Sequence, residues 1–177
     1  MVQSGRIKQK YGKKYNKRRA WDLFSYLAKE ITVDLKCFKR ENTHSIPGTL
    51  YNQVLEDFGY KQYSDIPEDE YTHTEIEKES VKRWNEIIDK MIWSFEEIAE
   101  EYPHDPFMNA ISEYHDKYPK KEDESFEEFF NNRPNKNRPD FDDTVDRKAL
   151  NKEKEEYRYK IEEGLHLFAE WFENLWD

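Results

Sequence analysis

The stretch VKRWNEIIDKMIWSFEEIAEEY, residues 81–102, decides the fold. Its apolar side chains return at intervals of three or four residues, at Val81, Trp84, Ile88, Met91, Phe95, Ile98 and Tyr102. Because an α-helix turns once in about 3.6 residues, this spacing places them all on one face. The stretch therefore predicts a long helix over about 80–102, capped by Thr74 or Ser80 and ended by Pro103.

Two other segments repeat this pattern and predict two more long helices. Over residues 20–41 the apolar positions are Trp21, Phe24, Ala28, Ile31, Leu35 and Phe38, widened by Leu23 and Leu27. Over residues 148–176 they are Leu150, Tyr157, Ile161, Leu165, Phe168, Phe172 and Leu175. No single amphipathic helix can bury its own apolar face, so the three segments predict an all-α bundle around a shared core.

The connections between these helices are long and contain short accessory helices. Short helices are predicted over 49–58, 107–118 and 125–130. The first of them begins at Thr49, a residue type that caps helices, and ends at Gly59. The acidic stretch 64–79 is predicted to be a loop with helical beginnings, and residues 131–147, which hold Asn-Arg-Pro twice, are predicted to be an exposed loop.

The composition is that of one charged, aromatic-rich helical domain over residues 20–177. Of the 177 residues, 38% are charged and 16% are aromatic, so the chain has the apolar surface that disordered chains lack. No apolar run approaches the roughly 18 residues that a membrane span needs. The single cysteine, Cys37, cannot form an internal disulfide.

Short catalytic motifs are missing from the sequence. It contains no Gly-x-x-x-x-Gly-Lys, no Gly-x-Gly-x-x-Gly and no Gly-x-Ser-x-Gly. The first two motifs cradle phosphates and the third presents a serine nucleophile, so their absence weighs against a P-loop enzyme, a dinucleotide-dependent oxidoreductase and a serine hydrolase. The sequence leans against an enzyme without excluding one.

Residues 1–19 form a basic arm, expected to be flexible, in front of an acidic body. The arm contains no acid, whereas the whole chain has a net charge of -10. Its basic residues include Lys8, Lys10, Lys13, Lys14, Lys17, Arg18 and Arg19. Such an arm can neutralise phosphates, which makes nucleic-acid or nucleotide binding one alternative function. The other interpretation is a solvated leader, or an arm that folds back on the acidic body.

Three groups of residues resemble a family of small uncharacterised proteins of tailed bacteriophages. The first group is Trp21-Asp22-Leu23 with Tyr26-Leu27-Ala28, and the second is residues 89–96, DKMIWSFE. The third is residues 163–169, EGLHLFA, with the closing Leu175-Trp176-Asp177. The resemblance implies a phage origin and a location in the cytoplasm of the bacterial host. It implies no activity and no catalytic residue.

One pair of residues has the spacing of a metal site. Glu163 and His166 lie three residues apart on a predicted helix, as in the Glu-x-x-His pairs of carboxylate-bridged metal bundles. Asp22 and Asp89, beside the apolar faces, are the further candidate ligands. A divalent metal and a hydrolase or oxygenase activity are therefore a second alternative, although ion pairing of these acids is favoured. The pair Glu101/His104 has the same spacing but lies beside Pro103.

The favoured hypothesis is a non-enzymatic protein that acts by binding a host protein as inhibitor or modulator. Excess negative charge steers association with basic surfaces. Trp171, Phe172 and Trp176 cluster near the C-terminus and are residue types that dominate interface energies. Core packing of these aromatics, a homodimer through the last helix, and a role as a virion component are the alternatives.

Overall fold

The computed structural model describes residues 22–41, 46–119 and 139–175, and it confirms an all-α fold for them. The helices are α1 (Leu23–Glu41), α2 (Gly48–Asp57), α3 (Glu70–Ala99), α4 (Pro106–Lys117), α5 (Phe141–Thr144) and α6 (Arg147–Glu170). Short 3-10 turns lie at Tyr63–Asp65 and Phe172–Asn174. The described residues contain no strand.

The longest helix, α3, is central. Both α1 and α6 pack along α3. The backbones of α1 and α6 make far fewer close approaches to each other than either makes to α3. Lys39 of α1 pairs with Asp89 at 2.5 Å, whereas the earlier residue Lys36 pairs with the later residue Glu96. The helix α1 is therefore antiparallel to α3. The prediction of three long helices around a shared core is confirmed.

Aromatic rings join the three long helices in the core. Trp84 of α3 is 4% exposed and meets Trp171, just after α6, edge-on with a centroid distance of 5.6 Å. Phe38 of α1 lies 6.4 Å from the same Trp84 ring. Phe168 packs against Phe95 at 4.9 Å. A smaller second core, formed by Val54, Leu55, Ile66 and Ile76, joins α2 to the first half of α3.

The start of α3 differs from the prediction. The helix begins at Glu70 rather than near residue 80, so the predicted start is wrong, and residues 70–79, predicted as part of a loop with helical beginnings, are continuous helix. Asp69 is the cap, and its carboxylate accepts a hydrogen bond from the Thr72 N–H at 2.7 Å. The helix also ends at Ala99, before Pro103. The early start buries Ile76 completely in the second core.

The ends of α2 and α6 also differ in part from the predicted ends. Thr49 lies inside α2, whose cap position is held by Pro47 without a side-chain hydrogen bond. Gly59 has a φ of +89°, the left-handed conformation in which glycine ends a helix, as predicted. The helix α6 ends at Glu170, before the predicted residue 176, and a 3-10 turn follows.

The remaining predictions concern the connections between the long helices and the start of the chain. The short helix predicted over 107–118 is confirmed by α4. Within the predicted loop over 131–147, α5 forms a single helical turn. The basic arm, the helix predicted over 125–130, Trp21 and residues 131–138 lie outside the described residues.

Candidate functional site

The four candidate metal ligands are not brought together. Asp89 pairs with Lys39 of α1 at 2.5 Å, and Glu163 pairs with Lys90 of α3 at 2.7 Å. Asp22 precedes α1 and is exposed, as is His166. Across residues 22–41, 46–119 and 139–175, no group of three or more His, Cys, Asp or Glu side chains is placed to hold a metal ion. Asp89 and Glu163 thus form ion pairs between helices.

The aromatic residues near the C-terminus divide between core and surface. Trp171 is 7% exposed and packs against Trp84, so it belongs to the core instead of an interface. Phe172 is 46% exposed and rests edge-on against Phe168 at 5.5 Å. Trp176 lies outside the described residues. Of the predicted interface residues, Phe172 is the one that the structure places at the surface.

A buried carboxylate, which sequence reasoning missed, ties α3 to α6 and to the turn before α4. Glu97 is 2% exposed. Its Oε2 accepts a hydrogen bond from the Tyr157 hydroxyl at 2.6 Å and from the His104 N–H at 3.3 Å. Its Oε1 is hydrogen-bonded to His104 Nδ1 at 2.5 Å. Glu97, His104 and Tyr157 are called the Glu97 network below.

The Glu97 network holds the reversal between α3 and α4. Glu101 and Tyr102 have φ values of 61° and 64°, a conformation that costs energy for residues other than glycine. The Tyr102 N–H donates to the Glu97 carbonyl at 2.6 Å. The exposed His104 imidazole is fixed at Nδ1 and leaves Nε2 towards solvent. Its hydrogen bonds link α3 to α6 and to the turn before α4, which is a structural role.

The phenol of Tyr157 is coupled to this carboxylate. Burial, followed by its hydrogen bond to Glu97 and the charge of that carboxylate, raises the pKa of Tyr157 above its ordinary value of 10.0. The folded protein therefore holds this proton more tightly than the unfolded chain does. The resulting stabilisation is complete below about pH 10 and is lost as the pH rises through and beyond that value.

We expect this titration to be visible in alkaline unfolding. Between pH 9 and pH 11 the wild-type protein should lose stability more steeply than Tyr157→Phe, which has no phenolic proton to lose. Chemical denaturation at a series of pH values gives the two slopes. If stability falls equally steeply with pH in both proteins, folding leaves the pKa of Tyr157 unchanged. That result would contradict the prediction.

The first half of α1 carries an exposed apolar face. Leu23, Phe24 and Leu27 are 53%, 58% and 46% exposed. Their spacing of one, three and four residues places them side by side, and Ile31, half-buried against the core, continues the row. The helix packs inward mainly through small residues instead, among them Ser25, Ala28 and Thr32. The predicted apolar face of α1 is therefore wider than the surface that α3 covers.

We name Leu23, Phe24 and Leu27 the α1 face. A contiguous apolar patch at the surface of a charged protein is typical of an interaction site, whereas single exposed apolar residues are common. Val33, 59% exposed, lies six residues after Leu27, about a third of a turn away around the helix. It is an example of such a single residue.

Comparison of the chain with protein-family models, curated proteins and solved structures finds no match. Within the part of the chain that the structure describes, none of the helices has the length and apolar character needed to cross a membrane.

Proposed function

We propose that this protein is a bacteriophage accessory protein that acts by binding a host protein in the bacterial cytoplasm, as an inhibitor or modulator. The observation that carries the proposal is the α1 face, with three large apolar side chains about half exposed on one side of a helix. Burying them against a partner would remove apolar surface from water, which drives most protein association. The sequence resemblance to small phage proteins supports a host protein as the partner.

The charge of the chain supports the same type of partner. With 39 acidic and 29 basic residues, the protein has a net charge of -10. A negative potential accelerates encounter with basic surfaces and disfavours acidic ones. We therefore expect the partner to have an apolar groove or patch bordered by basic residues, and its association with this protein to slow as salt is raised.

A differential capture experiment tests this proposal. Tagged wild type and the double variant Phe24→Ser/Leu27→Ser are expressed in the bacterial host, and co-purifying proteins are quantified by mass spectrometry. A partner bound through the α1 face should fall by about tenfold or more with the double variant, because two interface residues of this size contribute about 1 kcal/mol each or more. Unfolding of the variant should change little, since about half of each side chain is already exposed to water.

Val33→Ser is the matched control, because it removes an equally exposed apolar side chain from another side of the same helix. Its captured proteins should equal those of the wild type. The proposal is wrong if every captured protein is retained by the double variant, or if Val33→Ser and the double variant lose the same proteins to the same extent.

A further inference from the structure

A groove between α2 and the first half of α3 is separate from the α1 face. It has a volume of about 580 Å³, within the range of small-ligand and side-chain pockets. Tyr51 of α2 and Tyr63 of the 3-10 turn line it, and so do Ile46, Glu77 and Val81. The groove is open to solvent, so a side chain can enter it while the chain that carries it stays outside.

The aromatic side of the groove is ordered by ring contacts. The rings of Tyr51 and Tyr63 lie 6.5 Å apart, inclined by 34°. Tyr63 also contacts His73 of α3 at 5.4 Å. Tyr63 is 63% exposed, so these contacts hold the ring while much of it remains open to a ligand. The negative face of a tyrosine ring attracts cations, and guanidinium groups also stack on it.

The acidic side of the groove is Glu77. Its neighbours along α3 have partners, since Glu75 pairs with Lys78 at 2.9 Å and Glu79 with Arg83 at 2.9 Å. Among the described residues no lysine or arginine forms an ion pair with Glu77. Glu77 lines the groove together with Tyr51, and its charge, after burial and Tyr63, contributes to raising the pKa of Tyr51. An exposed carboxylate is thus left unneutralised beside two tyrosine rings.

The surroundings of the groove are acidic as well. Residues 46–83 contain nine aspartates and glutamates, three lysines and one arginine, so their net charge is four minus nine, or -5. A cationic segment would be attracted here before any close contact forms. The apolar side chains of Ile46 and Val81 offer a surface for the methylene stem of a long side chain.

We propose that this groove binds an arginine side chain of an extended basic segment in a partner protein. The guanidinium lies against the tyrosine rings and pairs with the Glu77 carboxylate, while its stem contacts the apolar wall. Arginine fits better than lysine, because its planar group can stack on a ring and form two hydrogen bonds to a carboxylate at once. This site does not depend on the α1 face and is tested without it.

The test is titration of the full chain with an acetylated, amidated octapeptide that contains two arginines and two lysines among glycine and serine. Calorimetry gives the dissociation constant, and NMR shifts of the Val81 methyl groups and the Tyr63 ring locate the site. The same peptide with citrulline in place of arginine keeps the shape and removes two charges. We expect it to bind at least about tenfold more weakly than the arginine peptide.

Glu77 and Tyr63 are exposed, so substituting either should weaken binding of the arginine peptide without unfolding the protein. Glu77→Gln and Tyr63→Leu should each raise the dissociation constant about three- to fivefold, as expected for exposed charge and cation–π contacts. Glu56→Gln is the matched control: it removes one charge from exposed α2 surface that does not line the groove. It should leave the dissociation constant within about twofold.

Several results would overturn the proposal. One is no binding of the arginine peptide, and another is equal weakening by Glu56→Gln and Glu77→Gln, which would indicate a diffuse acidic surface. Tetramethylammonium binding at this site as tightly as the peptide would identify a small free cation as the ligand. Self-association of the wild type that Glu77→Gln abolishes, measured by sedimentation, would identify a second copy as the occupant.

Discussion

Gly164→Ala is expected to lower the free energy of unfolding by about 2 kcal/mol, although alanine favours helices over glycine by about 1 kcal/mol. Gly164 is buried where α6 crosses α3. A Cβ atom there would lie 2.1 Å from Ser94 Oγ, 2.7 Å from Ser94 Cβ and 2.4 Å from the Lys90 carbonyl oxygen. The backbone oxygen cannot rotate away, so the two helices must separate and lose contacts along their length.

The close crossing also contains a hydrogen bond from Ser94 to α6 and an ion pair, and separation of the helices would break both. Ser94 Oγ donates to the Lys90 carbonyl at 3.0 Å and lies 3.3 Å from the Lys160 carbonyl of α6. The ion pair between Lys90 and Glu163 crosses the same point. Denaturant unfolding followed by circular dichroism measures the loss. Gly164→Val, with two further methyl groups, should be more destabilising than Gly164→Ala.

Gly48→Ala is the matched control for this prediction, because a Cβ at Gly48 has no atom within 4 Å. Gly48 is the first residue of α2, so this variant should be neutral or slightly stabilising. A second variant, Ser94→Gly combined with Gly164→Ala, removes two of the three close contacts and should recover part of the lost stability. Equal stability of Gly164→Ala and wild type would contradict the close crossing of α3 and α6.

Glu97→Ala is the second change expected to have a large effect, a loss of about 3 kcal/mol in the free energy of unfolding. It removes the acceptor of three hydrogen bonds and leaves the Tyr157 hydroxyl and the His104 N–H without their partner. The turn that contains the left-handed residues Glu101 and Tyr102 keeps the Tyr102 N–H bond to the Glu97 carbonyl but loses the hydrogen bonds from His104 to the carboxylate. We therefore expect hydrogen exchange to accelerate in the turn between α3 and α4 before it does elsewhere.

A double-mutant cycle separates the carboxylate's hydrogen bonding from the cavity that alanine creates. Glu97→Ala, Tyr157→Phe and their combination should show a coupling of about 1–2 kcal/mol, the range for residues in one hydrogen-bonded network. Glu96→Ala is the control, since Glu96 is the adjacent glutamate and its partner Lys36 is mostly exposed. It should cost less than about 1 kcal/mol. Additive effects of Glu97→Ala and Tyr157→Phe would rule out a coupled network.

The three long helices could be predicted because each repeats apolar residues at helical spacing. The spacing predicts which face of each helix is buried, but it does not predict which other helix covers that face. The start of α3 at Glu70 was missed because the first turns are acidic, and the Asp69 cap and the single buried Ile76 are weak signals. In α1, spacing could not show that small residues would pack inward and leave Phe24 in water.

The polar sites were harder to predict than the helices. Ion pairing of Asp89 is favoured by the sequence, but the sequence does not identify its partner, which is Lys39 of α1. His104 was considered with Glu101, three residues before it, whereas it binds Glu97, two turns earlier. Such partners depend on how the helices cross and reverse, which sequence spacing does not define. The groove likewise joins residues from α2, a 3-10 turn and α3.

Hydrogen exchange on the full chain, alone and saturated with its captured partner, is the most direct test of binding through α1. Exchange should slow in peptides that cover residues 22–31, where Leu23, Phe24 and Leu27 are exposed in the free protein. Peptides that cover the second half of α6 should change little. Unchanged exchange over residues 22–31, with protection confined to other parts of the chain, would place the interface elsewhere and contradict the proposed function of the α1 face.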